Sequence, residues 1–115
     1  MGPLKNISVL EFSGLGPGPY CGMLLADMGA NVIRIGRKGT EGIENKFDIH
    51  NRSKRSITAD LKNKDTINEV LKLIDQMDVV FEGYRPGVME KLGLGPNVCL
   101  ERNPKLVYGR MTGWG

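Results

Sequence analysis

The stretch from Ile7 to Arg37, ISVLEFSGLGPGPYCGMLLADMGANVIRIGR, holds an apolar run, a Gly-Pro loop, an apolar helical pattern and a second apolar run leading into Gly36-Arg37. Apolar runs bounded by Gly and Pro, with a helical segment between them, are what a strand-helix-strand unit with parallel strands requires. Val9-Leu10-Glu11-Phe12 is short and mostly apolar, as suits a strand covered on both faces. The loop Gly14-Leu15-Gly16-Pro17-Gly18 then turns the chain without a Cβ at its glycines. Pro19 suits the first position of a helix, where its missing N–H has no partner to lose, and Gly29 suits a left-handed helix end. Cys21, Leu24, Leu25 and Met28 recur at i, i+3, i+4 and i+7, which predicts a stripe buried against the sheet. The second strand, Val32-Ile33-Arg34-Ile35, carries Arg34 and Arg37 toward its carboxyl end, the side on which open α/β sheets bind ligands. The expected result is a cationic mouth.

Downstream, Lys38 to Arg55 has no clear period and is rich in Gly, Asn, Lys and Arg, so it reads as a long surface connection of the kind that is usually functional. Ile57-Thr58-Ala59-Asp60-Leu61-Lys62 reads as a short edge strand running into a loop, with Lys62 at its exit. Either Asn63 or Asp65 is suited to cap the next helix, in which Ile67, Val70, Leu71, Ile74 and Met77 keep helical spacing. Val79-Val80-Phe81 predicts a buried strand, and strand-helix alternation sets the loop Glu82-Gly83-Tyr84-Arg85-Pro86-Gly87 on the same rim as Arg37. Short helices are expected at Val88–Leu92 and Val98–Arg102, and a last strand at Leu106-Val107-Tyr108. A strand followed by Thr112-Gly113-Trp114-Gly115 should open another ligand-facing loop, so the chain reads as the first part of a longer protein.

With 115 residues, 40% apolar and 25% charged, the composition is that of one ordinary globular domain with a modest core. No apolar run approaches the roughly 20 residues that cross a bilayer, and the N-terminus lacks the apolar core of a signal peptide. The expectation is therefore no membrane partner and an intracellular, cytoplasmic location, or a mitochondrion or peroxisome in a eukaryote. Cys21 and Cys99 lack metal-ligand spacing and read as buried thiols, and no metal is expected. The net charge of +3 is too mild to argue for nucleic acid by itself.

A dinucleotide fingerprint needs Gly-x-Gly-x-x-Gly at the helix N-terminus. Starting at Gly14 its last position is Pro19, and starting at Gly16 it is Cys21, so both registers fail. Gly36-Arg37 stands where an acidic residue would bind a ribose hydroxyl, which disfavours NAD and leaves a phosphorylated cofactor open. There is no Walker lysine motif, and Ser13 lacks the glycine a nucleophile elbow needs two residues before it. His50, the only histidine, reads as a solvated loop residue, and Glu82 as an acceptor for loop backbone rather than a general base. Arg37, Arg52, Lys54, Arg55, Lys62, Arg85 and Lys91 fall in segments the topology brings toward one rim. Together they suit a ligand with several phosphates, since Arg offers paired donors and Lys a mobile point charge. With Tyr84 available for a planar base, a nucleotide bearing a separate phosphate fits better than a polymer, and coenzyme A has that shape. Two readings from other classes stand beside it: a module binding NADP at Arg37, and an RNA-binding domain working through Lys54, Arg55 and Lys62. The broken glycine fingerprint weighs against the first, and an aromatic content of 6% against the second.

Several segments in one order carry a family resemblance: Gly16-Pro17-Gly18-Pro19, Leu25-Ala26-Asp27-Met28-Gly29-Ala30, Ile35-Gly36-Arg37, Ala59-Asp60-Leu61-Lys62, Glu82-Gly83-Tyr84-Arg85-Pro86-Gly87-Val88, Leu92-Gly93-Leu94-Gly95-Pro96 and Tyr108-Gly109-Arg110-Met111-Thr112-Gly113-Trp114-Gly115. In these the chain resembles the N-terminal part of the class III coenzyme A transferase family, above all its α-methylacyl-CoA racemase branch. The resemblance implies an α/β fold with a Rossmann-like, mostly parallel sheet and flanking helices, residues 1–115 being a CoA-binding segment of a larger fold. It implies that Arg37 meets the adenosine phosphates, that Ala59, Asp60, Leu61 and Lys62 line adenine and ribose, and that Gly83, Tyr84 and Arg85 contact the nucleotide. Lys91 stands where an arginine often supplies another phosphate contact, and Gly14 to Gly18 would face the thioester. The implied partners are an acyl-CoA substrate and a second copy in an interlocked homodimer, with no cofactor beyond the CoA moiety. The implied reaction removes the proton α to the thioester carbonyl and returns it on the opposite face through an enolate. Its His and Asp would lie beyond Gly115, so the residues present are expected to be inactive alone. The alternative within the family is a CoA transferase.

Overall fold

The apolar run at Val9–Phe12 forms the middle of a parallel sheet. The computed structural model describes residues 2–12, 17–37 and 54–112. Among them the strands β1 (Ser8–Phe12), β2 (Asn31–Arg37), β3 (Arg55–Ala59), β4 (Val79–Glu82) and β5 (Val107–Arg110) lie in the order β3-β2-β1-β4-β5. Each pairing is parallel, with Phe12 opposite Ile35 on one side and Glu82 on the other. Because β1 has neighbours on both edges and helices on both faces, its residues 9–12 are all buried and show no alternation. The order reverses at β1, the arrangement of Rossmann-like sheets.

The helices are α1 (Pro17–Asp27), α2 (Lys64–Ile74), α3 (Val88–Lys91) and α4 (Pro96–Arg102). The larger core joins Leu10, Phe12, Ile33, Ile35 and Val80 of the sheet to Val70 and Ile74 of α2 and to Met89, Leu94 and Cys99. The smaller core, on the opposite sheet face, joins Val9, Val32 and Phe81 to Cys21, Leu25 and Ala26 of α1. Asn63, not Asp65, caps α2, its side chain accepting from the Asp65 and Thr66 amides. That helix ends at Ile74, so Met77 is buried just outside it, and Asn103 donates to the carbonyls of both Ile74 and Met77. Gly29 ends α1 with φ +102°, its N–H bonding to Ala26 and the Ala30 N–H to Leu25, as the left-handed helix end requires.

Several expectations need correction. Helix α1 begins at Pro17 rather than Pro19. Its stripe is rotated: Met23 is buried, Leu25 half-buried, and Leu24 and Met28 are 41% and 40% exposed. The cause is the buried Gly22, whose missing side chain lets that side of the helix approach Glu11 on β1. Cys21 is half-buried rather than buried, while Cys99 is fully buried. Arg34 is not at the mouth. Its side chain lies on the α1 face, 5% exposed, and donates to Ser56. Lys54 and Arg55 leave the proposed rim as well, since Arg55 opens β3 at the opposite end of the strand and Lys54 is tied inside the molecule. The loop at Ser13–Gly16, the connection from Lys38 to Ser53 with His50 and Arg52, and the Gly113-Trp114-Gly115 end lie outside the described residues.

Candidate functional site

Parallel strands deliver their carboxyl ends to one edge of the sheet, and the loops that follow them make a shared rim. Arg37 ends β2 in register with Ala59, the last residue of β3. The chain then turns through Asp60, whose side chain accepts from the Lys62 N–H at 3.1 Å, and leaves Lys62 exposed. Ala59, Asp60, Leu61 and Lys62 line a cleft of about 260 Å³, and Val88, Lys91 and Leu92 close its other side. Ala59 and Leu61 point their own side chains into the larger core, so they offer the cleft mainly a wall. A wider groove of about 610 Å³ continues past Lys62 and Lys91 to Lys64.

Gly83, Tyr84 and Arg85 follow β4 on the same rim, and of these three Tyr84 lines a second cleft. It measures about 240 Å³ and is lined by Glu82, Tyr84, Pro86, Gly87, Glu90, Arg110, Met111 and Thr112. Arg85 is exposed, whereas Tyr84 is half-buried with its ring edge-on to Phe12 at 6.4 Å. Helix α3 walls both clefts, contributing Lys91 to the first and Glu90 to the second.

Glu82 is the loop acceptor anticipated from the sequence: its Oε1 takes the Tyr84 N–H at 2.9 Å. Its Oε2 takes the Arg110 Nε–H at 2.9 Å, and the outer guanidinium nitrogens of Arg110 grip both oxygens of Glu90 at 2.9 and 2.7 Å. These side-chain hydrogen bonds hold the Glu90 carboxyl down at about 2 and push Arg110 further above its already high value. Burial pushes the Cys99 thiol up to about 11 and raises the Tyr108 phenol too; both donate to the Leu94 carbonyl and stay neutral.

Two charge arrangements escaped sequence reasoning. Arg110 had a signal, being a cation at the carboxyl end of a strand. The other lies under α1, where Lys54 Nζ meets Glu11 Oε1 at 2.7 Å with both side chains 0% exposed, and also donates to the Pro19 carbonyl. Glu11 within an apolar strand was its signal, since a buried carboxylate requires a cation. Burial, and next the Glu11 carboxylate, raise the neighbouring Cys21 thiol above its ordinary value against the pull of Lys54. Among the described residues no group of His, Cys, Asp and Glu is arranged to hold a metal, and no helix is long and apolar enough to cross a membrane.

The sequence profile of CoA-transferase family III matches residues 4–115. The chain belongs to CoA-transferase family III. Within that family it is 46% identical over 112 residues to the Alpha-methylacyl-CoA racemase of Mus musculus, spanning 97% of this chain and 28% of that protein. It is 40% identical over 126 residues to "Probable fatty acyl-CoA transferase Rv3272" of Mycobacterium tuberculosis, spanning 98% of this chain and 32% of the relative. A crystal structure of Rv3272 superimposes with a TM-score of 0.92 at 41% identity, covering 100% of this chain and 35% of that one. A short chain dehydrogenase from Mycobacterium smegmatis shares the fold alone, with a TM-score of 0.51 at 16% identity over 71% of this chain and 37% of its own. Membership of family III therefore spans proteins named as isomerases and as transferases, and this chain is similar to both.

Proposed function

We propose that the rim holds coenzyme A and that the chain is the CoA-binding part of an α-methylacyl-CoA racemase-like enzyme. One observation carries this reading: Arg37, Lys62 and Arg85 stand at the carboxyl ends of β2, β3 and β4, while Lys62 and Lys91 line one cleft on that rim. Separate cations along one rim suit the diphosphate and the detached 3′-phosphate of CoA, and the similarity to a racemase supplies the substrate class. In the proposed reaction a base takes the proton α to the thioester carbonyl, the electron pair moves into the enolate, and an acid returns a proton to the opposite face. The residues of this chain would bind and orient the carrier. The His and Asp that move the proton are expected after Gly115 in a longer protein. A second reading, transfer of CoA between carboxylic acids, is favoured by the similarity to Rv3272.

Calorimetry on the chain tests the common part: CoA should bind about tenfold more tightly than its 3′-dephospho form, one charge-assisted contact being worth that much, and more tightly than NADP. Equal affinity for CoA and dephospho-CoA would overturn the phosphate-rim reading. In an active protein carrying this segment, exchange of the α-proton for deuterium without any acceptor acid supports the racemase; dependence of turnover on an acceptor acid supports the transferase.

A further inference from the structure

Arg110 lies on the edge strand β5, yet its guanidinium reaches both ends of the segment that carries Gly83, Tyr84 and Arg85 of the proposed CoA contacts. At one end is Glu82, the last residue of β4, 2% exposed and already accepting the Tyr84 N–H. At the other is Glu90 in α3, next to Lys91. Between them run Gly83 to Gly87, and Gly87 enters α3 with φ +87° and no side-chain cap. Arg110 spans this loop with three hydrogen bonds of 2.7–2.9 Å, one to Glu82 and a two-pronged pair to Glu90. The side chain is about one-third exposed, its guanidinium carbon 5.9 Å from the centre of the Tyr108 ring. A planar guanidinium suits this task because it bonds two carboxylates in fixed directions at once; a lysine ammonium has no such fork.

We infer that Arg110 is a positioning residue for the CoA rim: by clamping Glu82 to Glu90 it sets where Tyr84, Arg85 and Lys91 stand, without itself touching the phosphates. The inference rests on the CoA reading of the rim and adds a residue that acts through others. It explains why Glu82 is buried at a strand end next to a ligand-facing loop: its two oxygens hold the loop's first turn and the clamp. It also explains why α3, a single turn with a glycine at its entrance, can wall two clefts, since Glu90 fastens it to the sheet.

The test compares wild type, Arg110→Ala, Arg110→Lys and Glu90→Gln, each by CoA and 3′-dephospho-CoA calorimetry and by amide hydrogen exchange over residues 83–91 without ligand. Arg110→Ala should speed exchange in that segment and weaken CoA about tenfold, with the ratio of CoA to dephospho-CoA affinity kept, since a displaced charge-assisted contact is worth about that factor. Arg110→Lys should restore part of both losses. Unchanged exchange in Arg110→Ala overturns the clamp. Faster exchange with unchanged CoA affinity also overturns the proposal, and places the fault in the CoA reading of the loop. Loss of the affinity ratio would make Arg110 a phosphate contact and overturn its indirect role. Should Arg110→Ala fail to fold, Glu90→Gln decides, because it cuts only the exposed half of the clamp: about twofold to threefold weaker CoA is expected on this weaker bond, and wild-type behaviour overturns the proposal.

Discussion

Gly22 lies on the side of α1 that faces Glu11, and a Cβ there would run into the Glu11 carboxylate and stand 2.9 Å from Lys54 Nζ. The glycine therefore makes room for a buried ion pair rather than for a turn. Taking two charges out of water costs several kcal/mol, which attraction offsets only when geometry is good, and removing one partner strands the other. Lys54→Met should accordingly lower stability by about 3 kcal/mol, and Gly22→Ala by about 2 kcal/mol through overpacking against the same pair. Urea unfolding checks both; a wild-type midpoint for either would show that the pair is not confined as described. Only half of this was legible. Glu11 inside an apolar run announces a cation, but nothing in local spacing says that it is Lys54, which stands just ahead of β3.

Among the elements, β1, β4 and α2 follow from their apolar patterns because burial decides them. Two helices, on opposite faces of the sheet, escaped that logic for different reasons. Helix α1 is oriented by Gly22, whose lack of a side chain against Glu11 matters more than the apolar stripe at Leu24 and Met28. Helix α3 is one turn long, with little propensity of its own, and is held by Met89 in the larger core and by its tie to β5. That tie has a pH signature. The Glu90 carboxyl titrates at about 2 in the folded chain, below the value of about 4.3 for an unfolded glutamate. A carboxyl with a depressed folded value contributes stability that is fully present above the unfolded value and is lost as pH falls through the folded one. The tie should then be intact from neutral pH to about 4.3 and weaken progressively toward 2. Carbon-detected NMR of the Glu90 carboxyl should show a midpoint near 2, whereas an ordinary glutamate midpoint would mean that Arg110 does not hold it.

At the scale of the whole molecule, alternating strands and helices made a parallel sheet legible, and a parallel sheet is what gathers distant cations onto one rim. The division of that rim into two clefts by α3 was not legible, because it depends on the turn at Gly87 and on side chains reaching across from β5. The placement of the cations separates the structure from the RNA-binding alternative: the Lys54 side chain is buried and Arg55 stands at the far end of β3, so with Lys62 they form no continuous basic track. In the proposed reading the rim makes remote contacts to one carrier, and remote contacts have a kinetic consequence. Arg37 ends β2 in register with Ala59, which lines the first cleft, and in the proposed function Arg37 holds a phosphate of the carrier rather than the α-proton. Such a contact is made equally in the ground state and the transition state, so its loss should appear as weaker binding rather than slower chemistry. In an active protein carrying this segment, Arg37→Ala should raise KM for the CoA thioester about tenfold while kcat changes by less than about twofold. Steady-state kinetics with the thioester and with its 3′-dephospho analogue separates the outcomes: the variant should lose preference for the phosphorylated form as KM rises. A large fall in kcat at unchanged KM would instead mean that Arg37 acts on the reacting end of the substrate, and the carrier would have to lie across the rim in the opposite sense.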